Sequence, residues 1–229
     1  MKEEMLERTK GLIGEEGVKK LRNATVLVCG LGGVGGTALE ALARSGVERF
    51  ILVDFDVVAP SNLNRQVLYT SSDVGKQKVE VAKNRILSIN CHSSIAILNK
   101  RIDNSIQTNL KEYQISFIID AIDDVPGKVA LATFALQNDI PIITSLGMAN
   151  RLDPTKVIIT RLDKTTNDPL AKKLRHEYKQ AGLDTKLINV AYSLEQPIKD
   201  GNKLNSMMMV PSAAGLAIAG YVINKLTSN

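Results

Sequence analysis

The sequence predicts an α/β fold: a Rossmann-like, mainly parallel sheet with helices on both faces, continued by a C-terminal extension of strands and helices. Three observations predict it. Val26 to Asp56 reads as strand, glycine turn, helix, strand and terminal acid. Beyond it, short apolar runs alternate with helix-forming segments as far as Thr144. From Gly147 the pattern shifts, so residues 147–229 read as a substrate or dimer extension of a 1–146 nucleotide-binding core, all within one domain. A chain of 229 residues can bury such a core, and its 44% apolar and 23% charged residues are ordinary for a globular protein.

The elements follow in order. Leu6 to Leu21 reads as a helix, with Leu12, Ile13, Val18 and Leu21 at helical spacing and Gly14 and Gly17 weakening it. Arg8 is a cation upstream of the expected phosphate site. Val26 to Cys29 is short and wholly apolar, as a buried strand should be. Gly30, Gly32 and Gly35 then form G-x-G-x-x-G. Gly30 permits the tight turn, Gly32 lets backbone approach a phosphate, and Gly35 lets the helix pack on the strand. That helix, Thr37 to Arg44, offers the free N–H groups of its start to an anion. The next strand, Phe50 to Val53, ends on Asp54, placed to accept hydrogen bonds from ribose hydroxyls.

Phe55 to Gln66 is too polar and irregular for an element and leaves the sheet at its carboxyl end, where such folds bind ligands. It contains Arg65, whose planar, permanent charge suits phosphate oxygens. Gly75 to Asn90 is expected to be helical, with Val79, Ala82, Ile86 and Ile89 as its apolar face. Lys78 near its start opposes the helix dipole, so it is expected to answer to an anionic ligand. Ser94 to Leu98 and Phe117 to Ile122 are further strands. The second runs into Asp120, Asp123 and Asp124, and acids at that end of a sheet commonly hold Mg²⁺ beside phosphates. Val125 to Asn138 is the following helix and Ile140 to Thr144 the following strand.

In the extension, Val157 to Leu162 and Lys186 to Leu194 read as strands flanking a basic helix from Asp168 to Ala181. Asp168 suits its N-cap and Pro169 its first position. Its Lys172, Lys173, Arg175, His176 and Lys179 are either a solvated face or a nucleic-acid patch. A turn at Asp200-Gly201-Asn202 leads to Met207-Met208-Met209, read as packing. Val210 to Leu226 closes the chain as an apolar helix, to be buried against the sheet or a partner subunit.

Several classes are disfavoured. A formal charge of +5 permits a nucleic-acid partner without requiring one. The two cysteines, Cys29 and Cys91, form no C-x-x-C, so a structural zinc site is not expected. Cys29 reads as a small buried hydrophobe. The charged start, Met1 to Lys10, is no signal peptide, and Val210 to Ile223 is too short to span a bilayer, so a cytoplasmic protein with no membrane contact is expected. There is no G-x-x-x-x-G-K-[ST], which disfavours γ-phosphoryl transfer. A nicotinamide dehydrogenase would use the glycine turn and Asp54, but not Arg65, Lys78 and Asp123. Two cations and a metal-binding acid are what cleavage of ATP between its α and β phosphates needs, since they offset charge building on pyrophosphate.

At these residues the chain resembles the ubiquitin-activating-enzyme-like adenylyltransferases, the ThiF and MoeB group. The resemblance rests on Gly30 to Gly35, Asp54-Phe55-Asp56, Ser61 to Gln66, Gly75 to Lys78 and Asp120 to Asp123, and runs over nearly the whole chain. The second half is most similar to the branch of tRNA threonylcarbamoyladenosine dehydratases, through Asp153-Pro154-Thr155, Lys164 to Ala171, Leu174-Arg175 and Val210 to Gly215. The resemblance implies that Gly30, Gly32, Gly33, Gly35, Asp54 and Asp56 belong to the nucleotide site. It further implies that Asn62, Arg65, Gln66 and Lys78 orient the triphosphate and that Asp123 coordinates Mg²⁺. Arg8 is matched to an arginine that this group sends into the partner subunit's ATP site, which implies a homodimer. The implied reaction adenylates the threonylcarbamoyl carboxylate on tRNA and then cyclises it, releasing AMP and pyrophosphate. No cysteine follows Cys91, which argues against a thioester route; Ser212 is the hydroxyl near that place. The alternatives are adenylation of the terminal glycine of a ubiquitin-like sulfur carrier, with a sulfur-transfer partner, and a non-catalytic nucleotide-binding scaffold.

Overall fold

In the computed structural model, residues 2–103, 105–198, 201 and 203–228 are described. The chain opens with α1 (Lys2–Asn23), followed by β1 (Thr25–Cys29), α2 (Gly33–Ser45) and β2 (Arg49–Val53). Then come α3 (Lys78–Ile89), β3 (Ser94–Leu98), α4 (Ile106–Leu110), β4 (Phe117–Asp120), α5 (Val125–Gln137) and β5 (Ile142–Ser145). The extension adds β6 (Val157–Arg161), α6 (Pro169–Gln180), β7 (Asn189–Ser193) and α7 (Met209–Thr227). All seven strands form one sheet in the order β3-β2-β1-β4-β5-β7-β6, parallel except for β6, which runs antiparallel to β7. The extension therefore lengthens the core's own sheet.

The alternation of side chains along each strand builds two cores. Val26, Val28, Phe50, Leu52, Phe117 and Ile119 face one way, against α1, α2, α3 and α7. Leu27, Cys29, Ile51, Val53 and Ile118 face the other, against α4, α5 and α6. Right-handed crossovers require this division, because the chain winds outward from β1 in one direction and returns through β4 in the other. The switch between the two directions falls between β1 and β4, and a crevice opens there at the strands' carboxyl ends.

Several boundaries differ from expectation for local reasons. α1 is broken at Gly14, whose φ of 74° and ψ of 173° are not helical. α3 starts at Lys78 instead of Gly75: Gly75 has φ 85°, and Gln77 is extended and bridges Val57. β7 begins at Asn189 because a turn at Asp184 occupies Lys186 and Leu187, whose N–H groups donate to the Asp184 side chain and carbonyl. Of the predicted turn at Asp200-Gly201-Asn202, Asp200 and Asn202 lie outside the described residues. α7, at 19 residues, is longer than the apolar run read from the sequence and by length and composition could cross a membrane. Its Val210, Ala214, Ile218 and Val222 are instead fully buried in the first core.

Candidate functional site

A cleft of about 340 Å³ opens at the switch point, walled by the residues that follow β1, β2, β3 and β4. Its floor is the glycine turn. Gly30 has φ 86°, and a Cβ there would press on the Ala121 carbonyl oxygen at 2.5 Å. A Cβ on Gly35 would sit on the Gly30 carbonyl, so Gly35 serves the packing of helix on strand. Gly32 is different. It lines the cleft, and the nearest atom to a Cβ placed there is Gln66 Nε2 at 3.8 Å, so the backbone faces open space. Gly32 is also the N-cap of α2 and supplies no capping side chain. The N–H groups of Gly33, Val34 and Gly35, the first of the helix, have no acceptor within it. Gly33 itself is covered by Pro211 and the Arg65 carbonyl, and neither it nor Gly35 lines the cleft.

Asp54, at the end of β2, is 8% exposed. Its Oδ2 accepts the Leu31 N–H at 2.7 Å and its Oδ1 accepts the Asp56 N–H at 2.9 Å. Asp54 thus shapes the glycine turn, while each oxygen keeps a lone pair for a ligand hydroxyl. Tyr69 supports the same turn by donating its buried hydroxyl to the Leu31 carbonyl. Burial, and then Asp54 and Asp56 nearby, push that phenol well above its ordinary pKa and keep it a donor.

The cations gather on one wall. Lys78 opens α3 with only 5% of its surface exposed, and its Nζ donates to Asp56 Oδ2 at 2.8 Å. That bond leaves it two donors. Arg65 uses Nη1 on the Ser61 carbonyl and on Asn64 Oδ1, which leaves Nε and Nη2 for the cleft. Asn62 holds this loop by accepting the Ala59 N–H on its Oδ1. Gln66 is 6% exposed, and its Oε1 is buried without a hydrogen-bond partner.

Of the three acids at the end of β4, two are committed elsewhere in the structure. Asp120 is fully buried and paired with Lys128 at 2.9 Å. Asp124 caps α5 by accepting the Gly127 N–H at 2.8 Å. Asp123 alone stays exposed on the cleft wall, with no hydrogen bond or ion pair among the described residues. No group of three or more His, Cys, Asp or Glu suited to a metal occurs among those residues. One free carboxylate facing a cleft lined by cations does suit Mg²⁺, which keeps several waters and takes few protein ligands.

Arg8 and the basic face of α6 lie outside the cleft. Arg8 is exposed on α1 and does not line the cleft. Its neighbour Leu6 packs on Gly46, the C-cap of α2, whereas the cleft lies at that helix's start. In α6, Lys172, Lys173, His176 and Lys179 are exposed, but Arg175 turns inward to the Leu162 and Thr165 carbonyls. The basic face is therefore smaller than expected. The sequence reading missed Phe55, Lys100 and Arg101, which also line the cleft, the Arg101 guanidinium lying 4.8 Å from the centre of the Phe55 ring. Lys100 and Arg101 directly follow β3, so the rule that pointed to Arg65 could have found them.

Known proteins match this arrangement along the whole chain. The model of the ThiF family matches residues 6–227. The tRNA threonylcarbamoyladenosine dehydratase of Bacillus subtilis is 38% identical, over 96% of this chain and 93% of its own length. The molybdopterin-synthase adenylyltransferase of Salmonella typhimurium is 34% identical over 79% of this chain and 73% of its own. The crystal structure of the Escherichia coli tRNA N6-threonylcarbamoyladenosine dehydratase in complex with ATP superposes with a TM-score of 0.94 at 32% identity, covering 99% of this chain and 95% of that one. By sequence over nearly its full length, the chain belongs to the ThiF family.

Proposed function

We propose that the protein is an ATP-dependent tRNA threonylcarbamoyladenosine dehydratase. The observation that carries this reading is the convergence of Gly32, Asp54, Arg65, Gln66, Lys78 and Asp123 on one cleft, in a chain that aligns end to end with a dehydratase crystallised with ATP. In this reading Asp54 holds the ribose, while Arg65, Lys78 and the first N–H groups of α2 hold the phosphates and offset charge as pyrophosphate departs. Asn62 keeps the Arg65 loop in place, and Asp123 would hold Mg²⁺, which would supply further positive charge against the departing pyrophosphate. Bound ATP supplies the leaving group: the threonylcarbamoyl carboxylate attacks its α-phosphorus, and closure of the ring within the adenylated group then releases AMP. Because the closing nucleophile is already tethered, proximity supplies much of the second step. The exposed lysines of α6 approach the tRNA backbone. The enzyme works in the cytoplasm as a homodimer, with Arg8 serving the partner's cleft.

The test is AMP release from ATP with and without tRNA bearing threonylcarbamoyladenosine, followed by mass analysis of the nucleoside. Release that depends on the modified tRNA, with loss of one water from the base, is expected. Pyrophosphate exchange driven by a protein ending in Gly-Gly, with no response to tRNA, would move the protein to the sulfur-carrier reaction instead.

A further inference from the structure

Lys128 has none of its side chain exposed, and neither does its partner Asp120. The ammonium donates to Asp120 Oδ1 and to the Ser145 carbonyl, each at 2.9 Å. Thr144 Oγ1 donates to the second Asp120 oxygen at 3.0 Å, and the buried Tyr178 hydroxyl of α6 donates to the Lys128 carbonyl at 3.3 Å. A buried ion pair is a poor source of net stability, because desolvation offsets the attraction and apolar side chains of the same size would fill the space as well. Its location is what matters. Asp120 is the last residue of β4, and its Oδ1 also accepts the Ile122 N–H at 3.3 Å. At the other end of the same turn, Asp124 is tied to α5 through Gly127. The turn is thus pinned on both sides of Asp123. Lys128, one turn into α5, joins that helix to the ends of both β4 and β5.

We propose that Lys128 is a positioning residue of the nucleotide site: by clamping Asp120 and the Ser145 carbonyl it sets the turn from which Asp123 would reach Mg²⁺. The proposal rests on the reading of Asp123 as the Mg²⁺ ligand. Groups hydrogen-bonded to a metal ligand typically control metal affinity by about ten- to a hundredfold; Lys128 acts one step further out, through Asp120 and the turn, so the lower end of that range is expected.

Two variants of the full chain test it: Lys128→Met, which keeps a linear side chain without charge, and Asp120→Asn with Lys128→Met, which removes both charges. ATP binding is measured by calorimetry with and without Mg²⁺, alongside thermal unfolding. Lys128→Met is expected to melt lower, because Asp120 is left as a buried unpaired charge, and the double variant to regain most of that loss. In both, the gain in ATP affinity from Mg²⁺ is expected to fall about tenfold, with metal-free ATP affinity within about twofold of wild type. Recovery of the Mg²⁺ gain together with stability in the double variant would make the pair purely structural and overturn the proposal, as would an undiminished gain in Lys128→Met. Wild-type protein that binds ATP equally with and without Mg²⁺ would instead remove the Asp123 assignment, and this proposal with it. No ATP binding at all would remove the nucleotide reading itself.

Discussion

Arg65 and Asp123 can be changed without disturbing what holds the protein together. Among the described residues the Arg65 side chain bonds only within its own loop, at Ser61 and Asn64, and Asp123 bonds to nothing. Arg65→Ala and Asp123→Ala are each expected to cut AMP formation by about a hundredfold or more, the usual cost of losing one group that stabilises transition-state charge. Their melting temperatures and circular dichroism should match wild type. Wild-type rates in both variants would remove the site assignment. These two residues were legible in the sequence because their chemistry is exposed and follows the ends of strands. The neighbouring acids were not. Along β4 the pleat sends Asp120 to the same face as Ile118, into a core where Lys128 waits, and the need to cap α5 takes Asp124. Spacing alone does not distinguish a ligand from a cap or a buried ion pair. Lys128 was missed for the same reason: within Pro126-Gly127-Lys128-Val129 nothing marks it as enclosed.

Among the elements, α2 is held by α7 on one side and by α3 on another. α7 approaches so closely that a Cβ on Gly215 would meet the Val34 carbonyl oxygen at 2.5 Å and Thr37 Cβ at 2.7 Å. Gly215→Ala is therefore expected to push the helices apart and destabilise the protein by about 1–3 kcal/mol, measured by urea unfolding. Because Val34 lies in the first turn of α2, nucleotide affinity should weaken as well. Unchanged stability would mean that the two helices separate freely. On the α3 side, Arg85 donates to both oxygens of Glu40 at 2.8 and 3.0 Å, and Arg44 shares one of them. Burial alone would raise the Glu40 carboxyl, but the hydrogen bonds from Arg85 and Arg44 outweigh it and hold the pKa below the ordinary value. The carboxylate thus stabilises the fold fully above its unfolded-state pKa, and that contribution fades as pH falls through the lowered folded-state value. Glu40→Gln should cost about 1–3 kcal/mol at neutral pH and progressively less in acid, as seen by urea unfolding across pH. A cost independent of pH would assign the effect to packing. Element types were legible from apolar periodicity, but their ends were set by single turns, at Gly75 and Asp184, that periodicity does not register.

At the scale of the whole molecule, the sheet order places the cleft at the carboxyl ends of the central strands, and α1 at the far end of α2. The alternation of strands and helices made the parallel sheet legible. Whether β6 and β7 would join it depended on pairings between residues far apart in sequence, Ile143 with Asn189 and Val157 with Ser193, which no local pattern discloses. The same geometry bears on Arg8. α2 has 13 residues and is about 20 Å long, so a residue beside its C-cap cannot touch a phosphate held at its start. If Arg8 serves catalysis, it must do so in a second copy, and a two-fold dimer would complete two clefts at once. Complementation tests this without a structure of the dimer. Arg8→Ala and Asp123→Ala are each expected to be inactive alone. After the two are unfolded, mixed in equal amounts and refolded, half of the dimers are mixed. In each of these, one cleft pairs an intact Asp123 with an intact Arg8 from the partner. About a quarter of wild-type AMP formation should return. If Arg8 acted within its own chain, every cleft in the mixture would lack one residue or the other and nothing would return. Full activity of Arg8→Ala alone would remove Arg8 from the site altogether.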